Sequence, residues 1–341
     1  MKLRLFAAIA SMAPLMAAAQ DLASCARIDE GLARLACYDK IAGRARPNTP
    51  APTAPTLEQK DTVAQEIKDP DAGPPPSAAA VATSTPLGLH WELDPGTTSG
   101  LFKLQAHKQN YLLPVRWSSS VNDAPFRPII AQSNSPNLGL DAAEAKFQIS
   151  LKAKAAEGLF GGRADVWLAY TQQSHWQVYN PQGSRPFRET DYEPEAMMVV
   201  HTDYDLLGLR GRFVNFGLVH QSNGRTDPLS RSWNRAYAQV GFERGDFALL
   251  IRPWYRFREG ADTDNNPDIT SYIGRGDVLA VYKYGRQEFS LLARSTFNLK
   301  EPRGSAQFDW SFPLAGRLKG YFQLFNGYGE SLIDYNWRQT T

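Results

Sequence analysis

The sequence predicts an all-β chain: a twelve-stranded antiparallel transmembrane β-barrel, preceded by a signal peptide, a short Cys-containing segment and a Pro-rich linker. Three observations predict it. Mean hydropathy is −0.41, yet the 341 residues include 8 Trp, 14 Tyr and 17 Phe. A polar average with many aromatics suits alternating strands with aromatic girdles better than a bundle of membrane helices. The second observation is an export signal with no later stretch that approaches a membrane helix. The third is period-two polarity from about Leu87 to the end of the chain, broken by turn clusters.

Composition narrows the classes further. Hydrophobic residues make up 43% and charged residues 21%, enough apolar material for a core, so global disorder is excluded. Lys+Arg is 37 and Asp+Glu is 35; without Lys2 and Arg4 of the signal the two balance at 35 each. A near-neutral chain is not one held to nucleic acid by bulk charge.

The N-terminal segment, residues 1–19, reads as a signal peptide. Lys2 and Arg4 precede the apolar stretch Phe6 to Met16, and Ala17-Ala18-Ala19 forms a small-residue cleavage site. A single spanning helix is the competing reading, but the run is short and Pro14 interrupts it. Residues 20–45 hold Cys25 and Cys37. In an oxidising compartment an even pair favours a disulfide, beside a short helix suggested by Leu32, Leu35, Ala36 and Ile41. Leu22-Ala23-Ser24-Cys25 loosely resembles a lipobox, which leaves lipidation as the alternative. Residues 46–86 are rich in Pro, Ala and Thr and read as an extended linker without a core.

Residues 87–341 form the barrel. NPQGSRP, SNGRTDP and TDNNPD are among the turn clusters, and strands are expected to start near Leu101, Ala145, Arg163, Glu189, Arg212, Ser232, Phe247, Ile269, Gln287, Gly304, Arg317 and Ser331. The count is even, as a bacterial outer-membrane barrel requires. The chain ends at Asn336–Thr341, so the twelfth strand is expected to be short, with a risk of an open edge.

Side chains alternate along a strand, so parity identifies the lipid face. In Arg212–Ser222 the even positions Val214, Phe216 and Leu218 are apolar, and His220 and Ser222 end the same face. In Ser232–Phe242 the even positions are Asn234, Ala236, Ala238, Val240 and Phe242. The connection NGRTDPLSR makes the two strands a hairpin. Three polar side chains then meet on an otherwise apolar outer wall, where polar groups are costly. They have the parts of a hydrolase triad: a serine hydroxyl, an imidazole to take its proton, and an amide to fix the ring. H-x-S followed by Asn also occurs by chance, and a non-enzymatic barrel, a pore or structural protein, is the alternative.

The stretch HQSNGRTDPLSRSWNR, His220 to Arg235, resembles the signature of the outer-membrane phospholipase A family. YTQQSHWQVYN (Tyr170–Asn180), SRPFRETDYEPE (Ser184–Glu195), DNNPDI (Asp264–Ile269) and GYGESLIDYN (Gly327–Asn336) resemble the same family in the same order. The resemblance spans roughly Leu101 to the end and leaves out the Cys pair and the linker. It implies a twelve-stranded barrel in the bacterial outer membrane and calcium-dependent hydrolysis of membrane phospholipid acyl esters. It also implies activation by formation of a homodimer. The family's catalytic residues fall on His220, Ser222 and Asn234, and its oxyanion donor on the Gly224 N–H. Its Ca2+ ligands fall on the Arg225 carbonyl, the Ser230 hydroxyl and Ser184 of the partner subunit. Its interface glutamine falls on Gln172, which shares the even, lipid-facing parity of Leu168 and Tyr170; an amide there wants a partner, and its copy on a second subunit is one.

Other features have plainer readings. Asp262-Thr263-Asp264-Asn265-Asn266 starts like an EF-hand loop, but Pro267 stands where Gly is required and no closing Glu follows, so it reads as a turn. His90, His107, His175 and His201 lack metal-ligand spacing. Glu189, Glu193 and Glu195 read as lumen charge rather than a glycosidase pair.

Overall fold

A computed structural model describes residues 24–28, 31–42, 84–132, 139–260, 262–298 and 300–341. The expected signal peptide and nearly all of the linker lie outside the described residues. The chain divides into two compact units, 1–69 and 70–341. In the first, helix α1 (Gly31–Ile41) carries Cys37, which is disulfide-bonded to Cys25 across a Cα separation of 5.6 Å. The bridge, not the lipobox reading, is what the pair forms.

The second unit is one antiparallel sheet. Its strands are β1 (Gln105–Ala106), β2 (Tyr111–Trp117), β3 (Ala143–Gly158), β4 (Ala164–Trp176), β5 (Phe187–Leu206), β6 (Leu209–Ser222) and β7 (Ser232–Arg244). They continue as β8 (Phe247–Phe257), β9 (Gly276–Tyr284), β10 (Gln287–Ser295), β11 (Gly304–Ala315), β12 (Leu318–Tyr328) and β13 (Arg338–Thr340). β1 and β2 both pair with β3, so thirteen strands among the described residues fill twelve positions in the wall. Asn110 makes the break between them: its side chain accepts from Ser150 N at 2.6 Å and donates to Ser150 O at 3.2 Å, standing in for the lost ladder. The last strand is short, as expected, but it is paired on both sides. It runs along β12 at Asn326–Tyr328, and the Thr340 carbonyl accepts from Ser119 N at 2.9 Å, just past β2.

Two expected strand starts are corrected. Ile269 begins no strand; a helical turn, Thr270–Ile273, comes first and β9 starts at Gly276. Ile269 and Ile273 are buried, so this apolar run folds inward instead of joining the lipid face. The final strand starts at Arg338, not near Ser331. Leu332 and Ile333 are buried too, and their N–H groups donate to Asp191 and Glu189 at 3.0 and 3.1 Å.

The two rims differ. At one rim β3–β4, β5–β6, β7–β8, β9–β10 and β11–β12 are joined by short turns; at the other, longer loops cover 177–186, 223–231, 258–275, 296–303 and 329–337. Short turns at one end and long loops at the other are the pattern of outer-membrane barrels. Along the wall the sequence alternation becomes a physical one. Phe216, Leu218, Leu168, Tyr255, Tyr282 and Phe322 point out and are exposed, while Phe213, Asn215, Trp233 and Tyr237 point in and are buried. Position 217 faces inward by strand alternation, and the Tyr237 ring occupies the space a side chain there would need: a Cβ would lie 2.2 Å from it. Among the described residues no helix is long and apolar enough to cross a membrane.

The lumen is lined with paired charge. Glu144 accepts from Arg188 and is ion-paired with Arg116, each at 2.9 Å, and His175 Nδ1 lies 2.9 Å from it. Lys146 pairs with Glu330 at 3.0 Å, and Arg188 with Asp334 at 2.8 Å. These pairs lock the 329–337 loop onto β2, β3 and β5. Burial alone would push the Asp334 carboxyl up; Arg188 and the Ser331 hydroxyl outweigh it and hold it below the usual range. Toward the short-turn rim, helix α2 (Pro86–His90) and Trp91 enter the barrel. Lys152 Nζ donates to the His90 carbonyl at 2.6 Å and sits 3.6 Å above the Trp91 ring. Lumen positions that read as candidate acids are likewise paired: Glu193 with Lys108 and Arg235, Glu195 with His107 and Tyr237. Asp264 pairs with Arg256, so the EF-hand-like stretch is a turn whose second acid is already engaged.

Candidate active site

His220, Ser222 and Asn234 lie together at the long-loop rim, on the outside of the barrel. His220 and Asn234 are direct ladder partners across β6 and β7, and His220 Nδ1 lies 2.8 Å from Asn234 Oδ1. Ser222 follows two residues later on the same face, opposite Ser232 on β7 and Tyr192 on β5. Among the described residues the Ser222 hydroxyl makes no hydrogen bond to His220; the pair already formed is imidazole and amide. Free hydroxyls of this kind commonly engage their base only when substrate is bound. The far side of the amide is also held: Asn234 Nδ2 donates to Glu259 Oε1 at 3.1 Å. A cavity of about 440 Å³ lies inside the barrel among Arg235, Arg252 and Glu193, and none of the three candidate catalytic residues lines it.

The 223–231 loop follows Ser222 directly. Gly224 adopts φ +63°, a left-handed conformation open to glycine at no steric cost. A Cβ there would come within 3.2 Å of the Tyr192 ring. Among the described residues nothing accepts from the Gly224 N–H and nothing donates to the Arg225 carbonyl, so one donor and one acceptor remain available beside Ser222. Asn223 organises the loop. It is 4% exposed; its Nδ2 donates to Glu189 at 3.0 Å and to the Leu229 carbonyl at 2.8 Å. Its Oδ1 accepts from Arg231 N at 2.9 Å and Arg225 N at 3.3 Å. One buried side chain therefore ties both arms of the loop to β5. The Arg225 side chain turns back to the Phe187 and Arg188 carbonyls at 2.8 and 2.7 Å. Asn265 donates to the Ser230 hydroxyl at 2.8 Å, and Asn266 accepts from Ser232 N at 3.1 Å, so the 258–275 loop braces the same structure.

The remaining predicted residues are more distant. Ser184 is exposed in the 177–186 loop, at φ +61°, and among the described residues no hydrogen bond joins it to Ser230, whose hydroxyl accepts from Asn265. Gln172 lies on β4 with outward parity, but its amide is not unpartnered: Tyr170 OH donates to Oε1 and Nε2 donates to Ser174, both at 3.3 Å. Reasoning from sequence missed Asn223, Asn265 and Glu259. Asn223 and Asn265 were inside quoted motifs, but side-chain bonds to backbone leave no periodic signal.

The phospholipase A1 family model matches residues 87–341. The chain belongs to the phospholipase A1 family. It is 40% identical over 336 residues to a putative phospholipase A1 of Neisseria meningitidis serogroup B, covering 92% of this chain and 87% of that one. It is 38% identical over 239 residues to the phospholipase A1 of Escherichia coli K12, covering 70% of this chain and 79% of that one. Two solved structures share the fold. One is a Salmonella typhi outer membrane phospholipase dimer with bound calcium: TM-score 0.63, 37% identity, 70% of this chain and 89% of that one. The other is outer membrane phospholipase A from Escherichia coli: TM-score 0.63, 37% identity, 70% of this chain and 90% of that one.

Proposed function

We propose that the protein is a calcium-dependent phospholipase A of the bacterial outer membrane, hydrolysing acyl esters of membrane phospholipids through Ser222, His220 and Asn234. The observation that carries this reading is the 2.8 Å His220–Asn234 pair on the lipid-facing wall, with Ser222 two residues away. His220 Nε2 takes the Ser222 proton as Oγ attacks the ester carbonyl, and Asn234 Oδ1 holds the Nδ1–H of the ring. The Gly224 N–H faces the developing oxyanion. Collapse expels the lysolipid alkoxide, which takes the proton from His220, and leaves an acyl-serine. Water activated by His220 then releases the fatty acid.

The donors near the loop fit calcium. They are oxygens, the Arg225 carbonyl and the Ser230 hydroxyl, and among the described residues no cluster of three or more His, Cys, Asp or Glu offers another metal site. Bound there, the ion supplies positive charge to the oxyanion. Two protein oxygens from one chain are few for an ion that takes 6–8. Ser184 of the partner subunit adds another, so a dimer has a better site than a monomer. Gln172 lies on the wall that the partner would meet; with in-chain bonds already made, it keeps one amide hydrogen and one oxygen lone pair for its copy.

The test is release of fatty acid from phospholipid micelles by refolded protein, with and without chelator. Ser222→Ala and His220→Ala should abolish release in folded barrels, and Asn234→Ala should lower it less. A sulfonyl fluoride should label Ser222. Activity that persists in excess chelator, or labelling at another residue, would refute the assignment.

A further inference from the structure

Asn234 is held at both ends of its amide. Oδ1 faces His220 Nδ1 at 2.8 Å and Nδ2 donates to Glu259 Oε1 at 3.1 Å. Glu259 comes from outside the hairpin, two residues beyond Phe257, which is the ladder partner of Asn234 on β8. The two orientations of an asparagine amide occupy nearly the same volume, so shape alone does not choose between them. Chemically they are opposites. With Oδ1 toward the ring, the imidazole carries its proton on Nδ1, and the Nε2 lone pair is free to accept from Ser222. With Nδ2 toward the ring, Nδ1 must be the acceptor and the proton moves to Nε2, where the ring no longer serves as a base. A carboxylate only accepts, so Glu259 is compatible with the first orientation and opposes the second. We infer that Glu259 is a positioning residue for ester hydrolysis: by holding the Asn234 amide from behind, it keeps His220 in the tautomer that deprotonates Ser222. This inference rests on the triad proposed above. Glu259 touches neither substrate nor the reacting atoms in this scheme.

The experiment compares kcat and KM at saturating calcium for wild type, Glu259→Ala, Glu259→Gln, Asn234→Ala and the Glu259→Ala/Asn234→Ala double variant. Folding is checked by heat-modified gel mobility. Loss of one orienting hydrogen bond is expected to lower kcat about tenfold in Glu259→Ala, with KM unchanged. Glu259→Gln keeps an acceptor oxygen and should stay within about threefold of wild type. In the Asn234→Ala background, removing Glu259 should cost nothing more, because the amide it holds is gone. Wild-type kcat in Glu259→Ala, equal losses in the Gln and Ala variants, or the same loss in the Asn234→Ala background would each overturn the inference. Ser222→Ala with wild-type activity would overturn the triad itself, and with it the role of Glu259.

Discussion

Replacing Asn223 by alanine tests whether the 223–231 loop must be rigid to hold calcium. The side chain makes four hydrogen bonds, to Glu189, Leu229 O, Arg225 N and Arg231 N, at 2.8–3.3 Å. At about 1 kcal/mol net each, discounted because water can reach the freed backbone groups, the loss is about 2–4 kcal/mol of loop stability. With 1.4 kcal/mol per factor of ten, the ordered loop loses roughly 30- to 1,000-fold in relative population. A ligand that binds only the ordered loop loses apparent affinity by the fraction that remains competent. If the intact loop is itself stable by a few kcal/mol, part of the loss is absorbed, so the calcium needed for half activity should rise at least about tenfold. The wall strands keep their ladders, and the folded form should still migrate as an unheated barrel. The assay is fatty-acid release as a function of free calcium, paired with heat-modified mobility. A folded Asn223→Ala protein with unchanged kcat and unchanged calcium half-saturation would refute the reasoning.

Ser230→Ala should also raise the calcium requirement, since it removes one of the proposed ligand oxygens, whereas Arg225→Ala keeps its carbonyl and should shift that requirement less; calcium titration of fatty-acid release separates them. Gln172→Ala should weaken dimerisation by about 1 kcal/mol, the scale of intramembrane hydrogen bonds, without unfolding the barrel, as measured by sedimentation in detergent. Ser222→Ala and Ser184→Ala chains, each poorly active alone, should regain activity when mixed, because the intact triad of one would borrow Ser184 from the other; a mixture no better than its parts would sink the shared site. Asp334 is held below the usual aspartate range by Arg188 and Ser331 against the cost of burial. Its contribution is therefore complete above the unfolded value near ~3.9 and is lost as pH falls below it. Thermal midpoints should be flat in Asp334-dependent stability from pH 7 to about 5 and should fall below about pH 4, and Asp334→Asn should shrink that acid limb.

The wall was legible from sequence because a strand allows only two faces. Once Phe216 and Leu218 were placed outward, His220 followed, and the cross-strand position of Asn234 followed from the hairpin. The structure agrees to the residue, with His220 and Asn234 directly opposed. Loops carry no such constraint. Ile269 looked like a strand start because it is apolar, yet its burial under the rim is set by partners far away in the chain, Trp254 and Leu332 among them. The β1–β2 break depends on one side chain, Asn110, taking over a backbone's hydrogen bonds. Gln172 is the converse: its outward parity was right, but two same-face neighbours two residues away had already met part of its need. Ser184 could not be joined to Ser230 by reasoning within one chain, since among the described residues no hydrogen bond links the two.

The outward orientation of His220 and Asn234 has a kinetic consequence. A site on the outer wall of a membrane barrel is entered from the side, by molecules diffusing in the plane of the leaflet, and no step requires a lipid to leave the bilayer or pass through the lumen. The quantity that sets its occupancy is then the surface density of ester-bearing lipid in the leaflet at that depth, not a bulk concentration. Diluting the substrate with an inert detergent or non-hydrolysable lipid should slow the enzyme even when the total substrate in the tube is unchanged. Raising the number of vesicles at fixed composition should not speed an enzyme that stays embedded in one of them.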